Sequence, residues 1–158
     1  MRTIETTVYQ FHELSEDAKE KAREWYKQGD VYGWSDEYRH SIETFCAHFG
    51  VELKDWNIGP GSPIDYRTDA ENAHFRGLKL RDLPHDQAPT GFCGDYALWV
   101  TFEKEFKRTG DALAAFNSAL DAGFKEWRDD WESAYSDEAV DEAITANGYE
   151  FTEEGERA

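Results

Sequence analysis

The sequence predicts an α+β fold, a single domain over residues 1–158 with about four helices packed on an antiparallel sheet. Three observations predict it. At 158 residues the chain is long enough for one domain with a real core and not comfortably long enough for two. Aromatic residues make up 15% of it, with six Trp, eight Tyr and ten Phe, and these side chains bury the most area, so a packed core is expected in spite of the many charges. Stretches of two-residue alternation and of helical periodicity follow one another in the order β-α-α-β-β-β-α-α-β, which argues for helices over an antiparallel sheet.

"TIETTVYQFHEL" alternates Ile4, Thr6, Val8 and Gln10 against Glu5, Thr7, Tyr9 and Phe11, and reads as a strand rich in β-branched and aromatic residues. A helix follows at "SEDAKEKAREWYKQG". Ser15 is placed to cap it, Glu16 and Asp17 suit the positive end of its dipole, Gly29 can close it, and Leu14, Ala18, Ala22, Trp25 and Tyr26 form its apolar stripe. "SDEYRHSIETFCAHFG" predicts a second helix, with Ser35 as cap and Gly50 as terminator, and with Trp34, Tyr38, Ile42, Phe45 and Phe49 on one face. "VELKDWNI" reads as a strand. "GPGSPIDYRTDAE", residues 59–71, reads as a loop from its glycines and prolines. "NAHFRGLKL" and "DYALWVTFEKEF" are strand candidates, joined by a long connection, "RDLPHDQAPTGFCG". From Asp111 onward Leu113, Phe116, Leu120, Phe124, Trp127 and Trp131 recur every three or four positions, the pattern of a long amphipathic helix packed on something flat, most simply a sheet. Ser136 caps a last helix docked by Val140, Ala143 and Ile144 and ended by Gly148, and "YEFTEEG" can add a short final strand. No internal repeat and no low-complexity linker interrupts this order.

The formal net charge is −17, from 34 acids against 17 bases. Residues 121–158 carry 13 acids and 3 bases, so more than half of the excess sits in the last quarter, and the acidic helical part spans about 111–147. Such a surface repels nucleic acid and anionic lipid and attracts basic surfaces, so direct binding of DNA or RNA is disfavoured. No apolar run approaches the length of a membrane span, and "MRTIETTVYQF" lacks the apolar core of a signal peptide. The two cysteines make no disulfide scaffold. A soluble cytoplasmic protein is expected.

Candidate chemistry is thin. Cys93 in "TGFCGDY" could be a nucleophile with His74 or His85 as base, but Asp86 and Asp95 would raise its thiol pKa, and a packed or incidental thiol is the plainer reading. Cys46 and His48, with His40 nearby, form neither a C-x-x-C pair nor an H-E-x-x-H motif, and positions 46 and 48 of a helix point in different directions. "GPGSP" and "TGFCG" lack the spacing of phosphate-cradling loops and read as turns. The acid pairs Asp129/Asp130 and Asp141/Glu142 stand outside any EF-hand pattern. No catalytic residue, cofactor or metal is expected.

What is left is the acids themselves. Glu126, Asp129, Asp130, Glu132, Asp137, Glu138, Asp141 and Glu142 stand against one base, Arg128. Stabilising helix pairs place Lys or Arg four residues from an acid, whereas Asp137/Asp141 and Glu138/Glu142 are like-charge pairs at that spacing. One turn of helix separates each pair by about 6 Å, the order of the spacing between successive backbone phosphates, so a carboxylate row can stand in for them in a basic groove. These eight acids are the expected partner-binding residues, with Trp127 and Trp131 supporting their face from the core. Acidic surfaces also serve solubility, or reflect a salt-adapted host.

"TTVYQFHELSEDAKEKAREWY" and "SDEAVDEAITANGYEFTEEGERA" resemble a group of small acidic phage and prophage proteins commonly labelled antitoxins of a toxin–antitoxin stability system. The resemblance covers roughly the first 26 and the last 23 residues. It implies an accessory gene of a mobile element, acting in the host cytoplasm. With the charge, that context makes a non-enzymatic inhibitor of host defence the expected function, with an anti-CRISPR protein the favoured form. It would bind the effector complex through a nucleic-acid-mimicking surface and block target DNA. The expected partner is thus a host protein or ribonucleoprotein with a basic nucleic-acid-binding surface, with no direct contact to nucleic acid or membrane. The alternative is an antitoxin that neutralises a cognate toxin by direct contact; an enzyme built on Cys93 and a histidine is the third reading.

Overall fold

The computed structural model describes residues 1–158. The chain is α+β, with five α-helices and two small antiparallel sheets. It forms two compact units. One comprises residues 1–33 and 133–158, the other residues 34–132.

The first unit holds strand β1 (Tyr9–Gln10), a 3-10 turn at Phe11–Glu13, helix α1 (Glu16–Lys27), helix α5 (Asp137–Asn147) and strand β4 (Glu150–Phe151). Ser15 caps α1, its hydroxyl accepting from the Ala18 amide at 3.2 Å, and Ser136 caps α5 in the same way through Ala139. Gln28, in right-handed conformation, ends α1 in place of Gly29, whereas Gly148 ends α5 at φ 63°, a left-handed conformation that favours glycine. β1 pairs with β4, Tyr9 opposite Phe151 and Gln10 opposite Glu150. The expected N-terminal strand therefore contracts to two residues, because β4 is only two residues long and offers residues 3–8 no ladder. Phe11, Leu14, Ala18, Ala22, Val140, Ile144 and Phe151 make the core, with Trp25 edge-on to both Tyr149 and Phe151.

The second unit holds α2 (Ser35–His48), strands β2 (Leu53–Asn57) and β3 (Asp65–Thr68), short 3-10 turns, α3 (Gly94–Thr109) and α4 (Ala112–Ala134), whose last two residues pass into the first unit. Ser35 is the first helical residue of α2; the capping position is Trp34, which supplies no side-chain bond. Gly50, at φ 70°, and Val51 close α2 on the carbonyls of Ala47 and Cys46. β2 and β3 form a hairpin with Trp56 opposite Tyr66 and an irregularity between Leu53 and Asp55. Four residues of the segment read as a loop are thus a strand.

Two expected strands are helical. "NAHFRGLKL" forms 3-10 turns, and "DYALWVTFEKEF" lies in α3. Asp95, Leu98, Trp99 and Phe102 of α3 are buried, a spacing of three and four that one helix face satisfies and a strand cannot. In place of one sheet under four helices there are two separate hairpin-sized sheets. α4 packs on helices as well as on β3: Phe116 stacks on Phe45 of α2, and Phe124 on Tyr66 of β3. At Gly123 an added Cβ would lie 2.5 Å from Leu98 Cδ2, so the absent side chain sets how closely α4 approaches α3. No helix is long and apolar enough to cross a membrane.

Candidate functional site

The eight acids fall into two groups of four, one on each unit. On α5, Asp137 and Glu138 occupy the first turn, capped by Ser136, where the helix dipole favours negative charge. Val140 and Ile144 fix the helix to its core; Asp137, Glu138 and Glu142 are exposed, and Asp141 is half-buried beside α1. Asp141 is held by Arg23 of α1 in a two-pronged bond, Nε to Oδ1 at 2.6 Å and Nη2 to Oδ2 at 2.8 Å. The Asp141 bond, followed by burial, which opposes it, and then Glu20, leaves the Arg23 pKa raised above its usual value. Lys27 reaches Asp137 at 3.4 Å. Glu138 and Glu142, one turn apart, are exposed and make neither an ion pair nor a hydrogen bond.

On α4 the acids have other surroundings. Glu126, Asp129 and Asp130 line a depression of about 450 Å³ together with Tyr38, Cys93 and Lys125. Burial first, and the neighbouring Asp130 second, raise the Glu126 carboxyl above the usual range. The same two causes, with Cys93 and Glu126 added, push the Tyr38 phenol well up. Asp129 is bonded to Lys125 and lies 3.7 Å from Arg128, and the Lys125 bond is the main reason its pKa is lowered. Glu132 accepts from the Gly61 amide at 2.9 Å and lies 3.9 Å from Arg128. The sequence counted one base against the acids of this region. Besides Arg128, the bases that reach them come from outside it: Arg23 and Lys27 on α1, and Lys125 one residue before Glu126.

Cys93 is exposed in that depression, and no histidine lines it. Nδ1 of the His74 ring accepts from the Glu71 amide at 3.1 Å. Cys46 is buried, and desolvation first, then Glu43 and Asp69, pushes its thiol up to about 12. His48 packs its ring against Phe49 and Trp99, and burial lowers its pKa. No group of three His, Cys, Asp or Glu side chains is placed to hold a metal ion.

Trp127 and Trp131 belong to an aromatic stack that lines a second depression. Trp127 is buried and stacks on Tyr38, Phe124 and Trp131. With Trp56 of β2 the two tryptophans line a cleft of about 250 Å³ whose polar side carries Asp36, Arg39 and Asn57. Sequence reasoning missed this cleft, because Trp56 comes from a hairpin whose second strand was read as loop. The signal available was Trp56 itself, a large aromatic among the charged and polar residues of β2, four of whose five residues are exposed.

Compared with protein-family models, with curated proteins and with solved structures, the chain matches none.

Proposed function

We propose that the protein is a non-enzymatic inhibitor of host defence, encoded by a phage or prophage and acting in the host cytoplasm. It occupies a basic, nucleic-acid-binding surface of a host protein or ribonucleoprotein, and a CRISPR effector complex is the favoured partner. The acids of α5, Asp137, Glu138, Asp141 and Glu142, and those of α4, Glu126, Asp129, Asp130 and Glu132, are its partner-binding residues. The carrying observation is the pair Glu138 and Glu142. They are like charges one turn apart, exposed and without any cation of the chain's own. A helix selected for stability alone gains by placing a base at one of these positions; a helix selected to meet a basic partner leaves both carboxylates open.

Affinity purification from the host cell, with wild type and a Glu138→Lys/Glu142→Lys variant, tests the reading. Retrieval of a nucleic-acid-binding complex by wild type, weakened by added salt and by the variant, is expected. Equal retrieval by both proteins would sink the reading. Retrieval of a single small toxin in place of a defence complex would turn it into that of an antitoxin.

A further inference from the structure

We propose that the tryptophan cleft of the second unit receives one arginine side chain of the protein partner. The proposal rests on the reading above, that the partner is basic, and names how a single residue of it is held. The cleft, about 250 Å³, is smaller than sites that take drug-sized ligands and of the size of one long side chain. Trp56, Trp127 and Trp131 line it, and the face of an indole attracts cations. One wall already carries such a contact: the Arg39 guanidinium lies 5.9 Å from the centre of the Trp56 ring. Arg39 is itself matched by two carboxylates, Asp36 at 3.3 Å and Glu43 at 3.9 Å, so its charge does not close the cleft to a second cation. Asp36 and Asn57 supply acceptors along the polar side.

Arginine fits these features better than lysine. Its guanidinium is flat, stacks on aromatic faces, sheds water more easily than an ammonium and keeps donors free at its edge for Asp36 and Asn57. Trp56, 37% exposed on the hairpin, is the wall a partner can reach. A nucleic acid base would also stack on indoles, but a chain with a net charge of −17 repels the phosphates that accompany it.

The test is an NMR titration of the full-length protein that follows the indole N–H resonances. The probe is N-acetyl-arginine amide, and N-acetyl-citrulline amide, equal in shape and uncharged, is the control. Saturable shifts of the Trp56 and Trp131 resonances are expected with arginine, at least fivefold weaker with citrulline. In Trp56→Ala the Trp131 shift is lost while the remaining resonances keep their dispersion. Resonances unmoved up to ~100 mM arginine amide, equal shifts from citrulline, or a Trp131 shift that survives Trp56→Ala would each overturn the proposal.

The two readings fail separately. A silent titration with retrieval still sensitive to Glu138→Lys/Glu142→Lys removes the cleft and leaves the acidic surface. A positive titration with insensitive retrieval does the reverse. With both correct, Trp56→Ala weakens partner binding fivefold or more and leaves its salt dependence unchanged.

Discussion

A methyl group at Gly155 would strike the carbonyl oxygen of Ala18, 2.1 Å from the added carbon, and the residue also holds φ 86°. Both the clash and the conformation oppose any side chain there, because the obstacle is helix backbone that cannot turn aside. Gly155→Ala is therefore expected to destabilise by about 2–4 kcal/mol, read as a lower midpoint in urea unfolding. Glu126 gives a prediction of opposite sign. Its folded-state pKa is raised above the unfolded value, so its contribution to stability is present in acid and is lost as pH rises through the folded pKa. Glu126→Gln should raise the melting temperature at pH 7, and the gain should vanish by about pH 4; a gain that persists in acid would contradict this origin. The two thiols divide plainly as well. Cys93 is exposed, while Cys46 is buried with its thiol pushed up to about 12. One cysteine per native chain should react with a thiol reagent, and none in Cys93→Ser.

At the scale of elements, α1 and α5 show what helix acids do in this fold. Arg23 ties Asp141 to the neighbouring helix with both prongs of its guanidinium, both side chains mostly withdrawn from water. Asp141→Asn should cost about 1 kcal/mol of stability. Because Asp137 and Asp141 already answer to bases, reversing them should weaken partner retrieval less than reversing Glu138 and Glu142 does. Ranking the four single Lys variants at fixed salt checks this. The helices themselves were largely legible. Ser15 and Ser136 announce α1 and α5, and the three-four spacing of Phe116, Leu120, Phe124 and Trp127 announces α4. α3 was not legible, because Tyr96, Trp99, Val100, Thr101 and Phe102 are the residues that strands prefer; burial of Leu98, Trp99 and Phe102 on one stripe overrode that preference. β3 hid among the glycines and prolines of 59–71, since four residues beside a turn carry too little pattern to stand out. The acids could be named from the sequence. Their cations could not, because Arg23 and Asp141 are 118 positions apart and only the fold brings them together. Glycine inside α4 has its own consequence: Gly123→Ala gains helix propensity but forces Leu98 aside, for a net loss of about 1–2 kcal/mol.

For the whole molecule, charge dominates. The first unit carries 15 acids and 6 bases and the second 19 and 11, so neither is balanced by its own bases. Self-repulsion of this kind weakens as salt screens it. Stability should rise between ~10 mM and ~200 mM salt, over which the screening length shrinks severalfold, while partner retrieval falls over the same range. The two trends run in opposite directions for one cause. A loss of partner binding that followed a loss of stability would point to unfolding and away from electrostatics.

The stacked rings of the second unit also make it a lamp of one colour. Tyr38 lies 6.2 Å from Trp127, and Trp131 lies 6.5 Å from it, all within 15° of parallel. At such separations excitation passes between rings faster than light is emitted, so photons absorbed by Tyr38 leave as indole fluorescence. Tyrosine emission is therefore expected to be dark at this position in the folded chain. Tyr26 and Tyr149 of the first unit, 6.4 and 5.2 Å from Trp25, are darkened in the same way, so the return of tyrosine emission on denaturation would report the opening of both aromatic clusters.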